Sequence, residues 1–310
     1  MLKIRVQILI FFLLILVGPT LFAQDLSFES ELGSGVYWGR AEEIVYKKPL
    51  EPDKESLLTW DVPVFQTLDV STQLHFPFNV FLRAKIQIGF AYTSAVMRDL
   101  DWINVPDSED PDIFSDNENY LVSWAHGTAD LGWVVLDSSP IKITSFLTYL
   151  YLLSAWEGWN SVQGLKNVPG TTTYYGHTID FRQIWHGVGL GGLISMQLFD
   201  ANLLLELKFF PWVVYLSRDI HILMKKTYLD NAYWGQGIKI STGYAVPFGE
   251  RYFGKIGFQF LRLWSGYGDS ILSKNGDTNP NTAFTLYKKN AIGGTYQLLG
   301  LFLSLGFVIQ

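Results

Sequence analysis

Val80-Phe81-Leu82-Arg83-Ala84-Lys85-Ile86-Gln87-Ile88-Gly89-Phe90-Ala91-Tyr92 is the stretch that decides the fold class. Side chains on an extended backbone point to opposite faces in turn. Val80, Leu82, Ala84, Ile86, Ile88, Phe90 and Tyr92 share one face; Arg83, Lys85, Gln87, Gly89 and Thr93 share the other with Phe81 and Ala91. Soluble sandwich strands average about 5–6 residues. This one runs far longer.

The preceding segment alternates in the same way, with Leu58, Trp60, Val62, Val64, Leu68 and Val70 opposite Thr59, Asp61, Thr67, Asp69, Ser71 and Gln73. A tight turn around His75 to Asn79 joins the two. At the carboxyl end, Leu299, Leu301, Leu303, Leu305, Phe307 and Ile309 alternate with Gly300, Ser304, Gly306 and Gln310, as a closing strand would. The same period marks ten strands, near 26–40, 57–74, 80–94, 120–136, 141–154, 177–197, 203–216, 232–246, 252–265 and 283–309. Short connections at 75–79, 137–140, 199–202 and 247–251 alternate with long polar ones at 41–56, 95–119, 155–176, 217–231 and 266–282.

That alternation predicts an all-β, ten-stranded antiparallel transmembrane β-barrel with short periplasmic turns and long extracellular loops. Closure leaves no unpaired strand edge in lipid. Composition agrees: 17% of the 310 residues are charged, against about 25% in an average soluble domain, while 22 Phe, 16 Tyr and 11 Trp supply aromatic rims. Trp60, Tyr92, Trp133, Tyr149, Trp234 and Trp264 are candidates for those girdles. A secreted β-sandwich is the competing reading, and strand length argues against it.

Residues 1–23 read as a secretory signal: Lys3 and Arg5 precede the apolar run Ile8 to Val17, Gly18 and Pro19 break it, and Ala23 offers a cleavage point. An uncleaved anchor is the alternative, but the run is shorter than the roughly 20 residues a spanning helix needs. Residues 24–310 then form the barrel. The leader holds two of the 23 basic residues and none of the acidic ones, so the formal charge goes from −6 to −6 − 2 = −8. With no basic stripe, nucleic acid is not an expected partner. The absence of cysteine excludes disulfides, thiolate metal sites and cysteine nucleophiles.

Two short clusters stand where long loops leave their strands: Asp99-Leu100-Asp101-Trp102 and Asp219-Ile220-His221. Residues i and i+2 of an extended chain point the same way, so each cluster presents two polar groups on one face. A carboxylate beside an imidazole fixes its tautomer and raises its basicity, which suits Asp219 and His221 to take a proton from water. Neighbouring carboxylates resist double ionisation, so Asp99 and Asp101 would share a proton, hold the water and stabilise an oxyanion. The other readings of these four side chains are solvated loop acids and a Ca²⁺ or Zn²⁺ site.

In these motifs the chain resembles the omptins, outer-membrane endopeptidases built as ten-stranded barrels. Glu43-Ile44-Val45-Tyr46 with Leu58-Thr59-Trp60-Asp61, then Met97-Arg98-Asp99-Leu100-Asp101-Trp102, then Ser217-Arg218-Asp219-Ile220-His221 carry the resemblance. It implies an aspartic-type endopeptidase in the bacterial outer membrane, its active site on the extracellular side, acting on peptides or proteins without a cofactor. Asp99 and Asp101 would be the aspartate couple, Asp219 and His221 the dyad, and water the nucleophile. Substrate-binding positions would be Glu43, Met97 and Ser217. Omptins prefer basic residues beside the scissile bond, using two pocket acids. Glu43 matches one and Ser217 stands in place of the other, so a weakened basic preference is expected unless a loop acid such as Glu109, Asp110 or Asp112 replaces it. The resemblance also implies lipopolysaccharide dependence through outward basic residues; Arg182 matches one lipid-binding position, while its expected partners near Ser154 and Leu229 are apolar. A non-catalytic, adhesin-like surface barrel and a small porin are the alternatives.

Overall fold

The computed structural model describes residues 26–50, 53–91, 93–102, 111–165, 169–273 and 284–309. The leader, Tyr92, Glu109 and Asp110 lie outside the described residues. Twelve strand segments make ten barrel strands: β1 (Ser27–Tyr46), β2 (Lys54–Phe76), β3 with β4 (Val80–Ala91 and Ser94–Asp101), β5 (Ile113–Ser138), β6 (Ile141–Leu165), β7 (Thr171–Leu198), β8 (Ala201–His221), β9 (Lys226–Phe248), β10 with β11 (Tyr252–Trp264 and Gly268–Ser273) and β12 (Thr285–Ile309). Each pairs antiparallel with its neighbours in the chain, and β12 returns to pair with β1. The ring is closed. Following paired residues once round from Gly39 leads through Leu298, Leu261, Lys239, Lys208, Gly191, Phe146, Gly132, Phe81 and His75 to Ser27, a stagger of 39 − 27 = 12 residues. For ten strands that stagger means a tilt of about 40°.

The faces of β3 follow the alternation. Leu82, Ile86, Ile88 and Phe90 are exposed on the outer wall, while Phe81 and Gln87 are buried inside and Arg83 and Lys85 line an internal chamber. Outward Leu301, Leu303, Leu305 and Phe307 on β12 extend the same apolar belt. Ile86→Arg is expected to cost about 2–4 kcal/mol, as a cation at the lipid midplane does. Val96 is equally exposed but belongs to a polar part of the wall, beside the Arg98–Asp116 ion pair. Val96→Arg should change stability by less than about 0.5 kcal/mol. Denaturant unfolding in lipid vesicles measures both; equal costs would contradict this placement of the membrane.

The strands outrun the predicted boundaries. The unbroken ones run from 20 to 28 residues, against about 9–11 for a tilted strand crossing lipid. Much of what alternation alone assigned to loops is strand, carried above the apolar belt as a polar-walled cylinder. Asp99, Asp101, Asp219 and His221 therefore sit on β4 and the end of β8 and not on loops.

Between belt and cylinder the inward face changes phase at β-bulges. Trp38 on β1 faces both Pro63 and Val64 on β2, and Gly189 on β7 faces both Phe210 and Pro211 on β8. Proline removes a ladder donor and is tolerated at such bulges. One extra residue flips every side chain beyond it. On β2 the inward set changes from Phe65, Thr67 and Asp69 to Leu58, Trp60 and Val62. Trp60 is thus no girdle residue: it is 0% exposed and stacks on Phe181 at 4.9 Å. Trp133, Tyr149 and Trp234 are exposed on the outer wall, and Trp264 is half-buried. On β8 the bulge turns Val213, Tyr215, Ser217 and Asp219 inward.

An aromatic layer of Tyr37, Phe65, Trp124 and Tyr296 fills the lumen at this level. Trp124 Nε1 donates to the Tyr296 hydroxyl at 2.8 Å, and Gln87 Nε2 donates to the Tyr37 hydroxyl at 2.8 Å. Gly300 makes room for Tyr37, since a Cβ there would stand 2.0 Å from Tyr37 Cδ1. The layer separates the upper cylinder from the chamber near the short turns.

Candidate active site

Asp99 and Asp101 follow Met97 on the inward face of β4, in register with Leu58 and Ser56 of β2. Arg98, between them in sequence, points out and bonds Asp116 at 2.8 Å. Ser56 Oγ donates to Asp99 Oδ1 at 3.3 Å. Burial, and then the Asp101 charge, push the Asp99 carboxyl up to about 7. Asp101 is also raised, chiefly by burial. Two acids held in one dry place retain a proton near neutrality.

Asp219 and His221 rise from β8 on the far side of the ring. The imidazole Nε2 lies 2.7 Å from Asp219 Oδ2, which leaves Nδ1 unprotonated when Nε2–H donates to the carboxylate. Burial alone would lower the imidazole pKa, but the Asp219 carboxylate, with Asp99 and Asp101, outweighs it and the net shift is upward. The His221 charge in turn acts on both Asp99 and Asp101, so couple and dyad share one electrostatic site across the lumen. The Tyr228 ring meets His221 edge-on, with centroids 5.4 Å apart. Among the described residues, no three His, Asp or Glu side chains are grouped as a metal ion would require.

Beneath the dyad, Ser217 is bracketed by two acids. Its Oγ lies 2.9 Å from Glu43 Oε2 and 2.8 Å from Asp230 Oδ2. Tyr215 donates its hydroxyl to Glu43 at 3.2 Å. Burial and the neighbouring Asp230 raise Glu43 well above the carboxylate range, and burial pushes Asp230 up to about 6. An acid absent from position 217 is brought beside it by the next strand. Asp230 is the paired neighbour of Ser217 on β9. Reading 217–231 as a loop hid it; a tight hairpin at 222–225 would have placed residues 217 and 230 opposite each other.

Met97 is buried in the core cluster that also holds Trp60, Trp156 and Phe181, and its sulfur accepts from Asn117 Nδ2 at 3.0 Å. Arg182 is exposed on the outer wall of β7, in register with Ala155 on β6 and Arg218 on β8. Ser154 points inward and bonds Tyr296, so Ala155 and not Ser154 is the outward neighbour of Arg182. Arg218, a second cation beside Arg182, was not singled out from the sequence.

Family and fold are those of an outer-membrane protease. A family model described as the Omptin family matches residues 24–293, and the chain belongs to that family. Among solved structures, the outer membrane protease OmpT from Escherichia coli is similar with a TM-score of 0.81, covering 93% of this chain and 99% of that chain at 14% identity. At that identity the likeness is one of fold. The translocator domain of the autotransporter NalP from Neisseria meningitidis covers 98% of this chain and 96% of its own, but its TM-score is 0.34 at 8% identity and it carries no argument. No curated protein matches the chain by sequence.

Proposed function

We propose that this barrel is an aspartic-type endopeptidase of the cell surface, with its active site on the extracellular side, that cleaves peptides or proteins with an activated water. The observation that carries the reading is the 2.7 Å contact of Asp219 with His221, electrostatically coupled to Asp99 and Asp101. His221 Nδ1 takes a proton from water as its oxygen attacks the scissile carbonyl carbon. Asp219 stabilises the imidazolium, and the protonated member of the Asp99–Asp101 couple donates to the oxyanion. The imidazolium then protonates the leaving nitrogen as the C–N bond breaks. No covalent intermediate forms.

The active form needs neutral His221 and one proton on the couple. As pH falls through the raised His221 pKa the base is lost; as pH rises past about 7, Asp99 gives up the proton that the oxyanion needs. A bell-shaped profile of kcat/KM centred near neutrality is expected. A flat profile from about pH 5 to 9 would exclude this assignment.

Glu43, Ser217 and Asp230 form the floor of the specificity site. Two carboxylates sharing a proton around a hydroxyl suit a guanidinium or ammonium, which displaces that proton on binding. The preferred substrate therefore carries Arg or Lys beside the scissile bond. Arg182 and Arg218 side by side on the outer wall suit an anionic lipid headgroup, and lipopolysaccharide would meet the protein there. The filled aromatic layer disfavours a porin, because no open lumen passes Trp124 and Tyr296.

A further inference from the structure

On the other side of the aromatic layer, a chamber of about 410 Å³ is lined by residues near the short turns, among them Gln73, His75 and Asn202. Its wall is strongly cationic. Burying a cation without a partner is costly, so each should have a carboxylate. Most do. Lys208 bonds both oxygens of Asp130 at 2.8 and 2.9 Å, Arg83 pairs with Asp130 and Glu206, Lys85 lies 3.5 Å from Asp69, and Lys255 lies 2.6 Å from Glu31.

Lys239 breaks the pattern. It is 2% exposed, lines the chamber, and makes no hydrogen bond or ion pair among the described residues. The charges acting on it are Lys208 and Lys85, which repel it, and Glu206 and Asp130, which are already engaged by Arg83 and Lys208. Around this point four cations (Arg83, Lys85, Lys208, Lys239) face three carboxylates (Asp69, Asp130, Glu206). Glu29, which also lines the chamber, does not close the gap: the charges acting on it are those of Glu31, Lys255, Arg83 and Lys142, and Glu29 is not among the charges acting on Lys239. A second donor waits nearby. Gln259 lines the same chamber, 2% exposed, and its Nε2 has no acceptor.

We infer that the chamber is an anion-binding site separate from the peptidase cleft, taking one small dissolved oxyanion of the phosphate class between Lys239 and Gln259. An oxyanion supplies the missing negative charge and several acceptor atoms at once, which chloride does not. It enters from the short-turn end, since the aromatic layer closes the other side. The inference is independent of the peptidase reading; a barrel that bound phosphate and cleaved nothing would leave it standing.

The test is calorimetric titration of the refolded barrel in zwitterionic detergent with inorganic phosphate, at constant ionic strength. One phosphate per barrel is expected, with affinity at least tenfold weaker in Lys239→Met and peptide cleavage unchanged. If Lys239→Met does not refold, Gln259→Leu is the substitute and should weaken binding in the same direction. Absence of saturable binding to the folded wild-type barrel, or unaltered affinity in the refolded variants, overturns the inference.

Discussion

Replacing His221 with alanine should lower the turnover number for peptide cleavage by about 10²-fold or more, the usual cost of removing a general base. That corresponds to about 2.7 kcal/mol of transition-state stabilisation. Folding should survive, because His221 is the last residue of β8, above the apolar belt and outside the core cluster of Trp60, Trp156 and Phe181. Asp219→Asn tests the same assignment from the other side. An amide in place of Oδ2 no longer holds the imidazole with Nδ1 free, so turnover should fall while KM moves little. If both variants keep wild-type kcat in a barrel that still shows its heat-modifiable gel shift, the dyad assignment is wrong.

Asp230→Asn should lower selectivity for Arg or Lys over neutral residues by about one to two orders of magnitude. A charge-assisted hydrogen bond is worth about 1.5–3 kcal/mol, and its loss acts on the kcat/KM ratio of basic to neutral substrates. Glu43→Gln should act in the same direction, and the two effects should not add, because the acids share a single hydroxyl neighbour. Ser217→Asp would set a third carboxylate between two whose burial and mutual repulsion already keep a proton on the pair, so it should bring no gain in basic preference. Were Ser217 a neutral gap with no second acid beside it, the same substitution would raise basic selectivity. A large gain in Ser217→Asp, or full basic selectivity in Asp230→Asn, would remove Asp230 from the pocket.

The barrel was legible because lipid enforces strict alternation. A polar group facing hydrocarbon is costly, so Leu82, Ile86 and Ile88 had to fall on one face and Arg83, Lys85 and Gln87 on the other. Above the membrane that constraint lapses. There both walls of a strand are polar or mixed, as at Arg98 and Asp116, and period-two reasoning mistook strand for loop. Bulges were the second obstacle. Trp60 was placed on the wrong face because alternation was carried unbroken across Pro63, when the proline itself marks the change of phase. Asp99 with Asp101, and Asp219 with His221, could be grouped from the sequence because each pair sits two residues apart on one strand. Asp230 was missed because its relation to Ser217 runs across strands, through hairpin register that sequence spacing does not display.

The central claim, water attack on a peptide bond governed by this site, is tested most directly by cleavage-site mapping on a peptide library in ¹⁸O-enriched water, with the refolded barrel in outer-membrane lipid. Internal cleavage beside Arg or Lys, with one ¹⁸O in each new carboxyl terminus after a single turnover, is the expected result. A folded barrel that cleaves no peptide, or new termini without ¹⁸O from the first turnover, would contradict it.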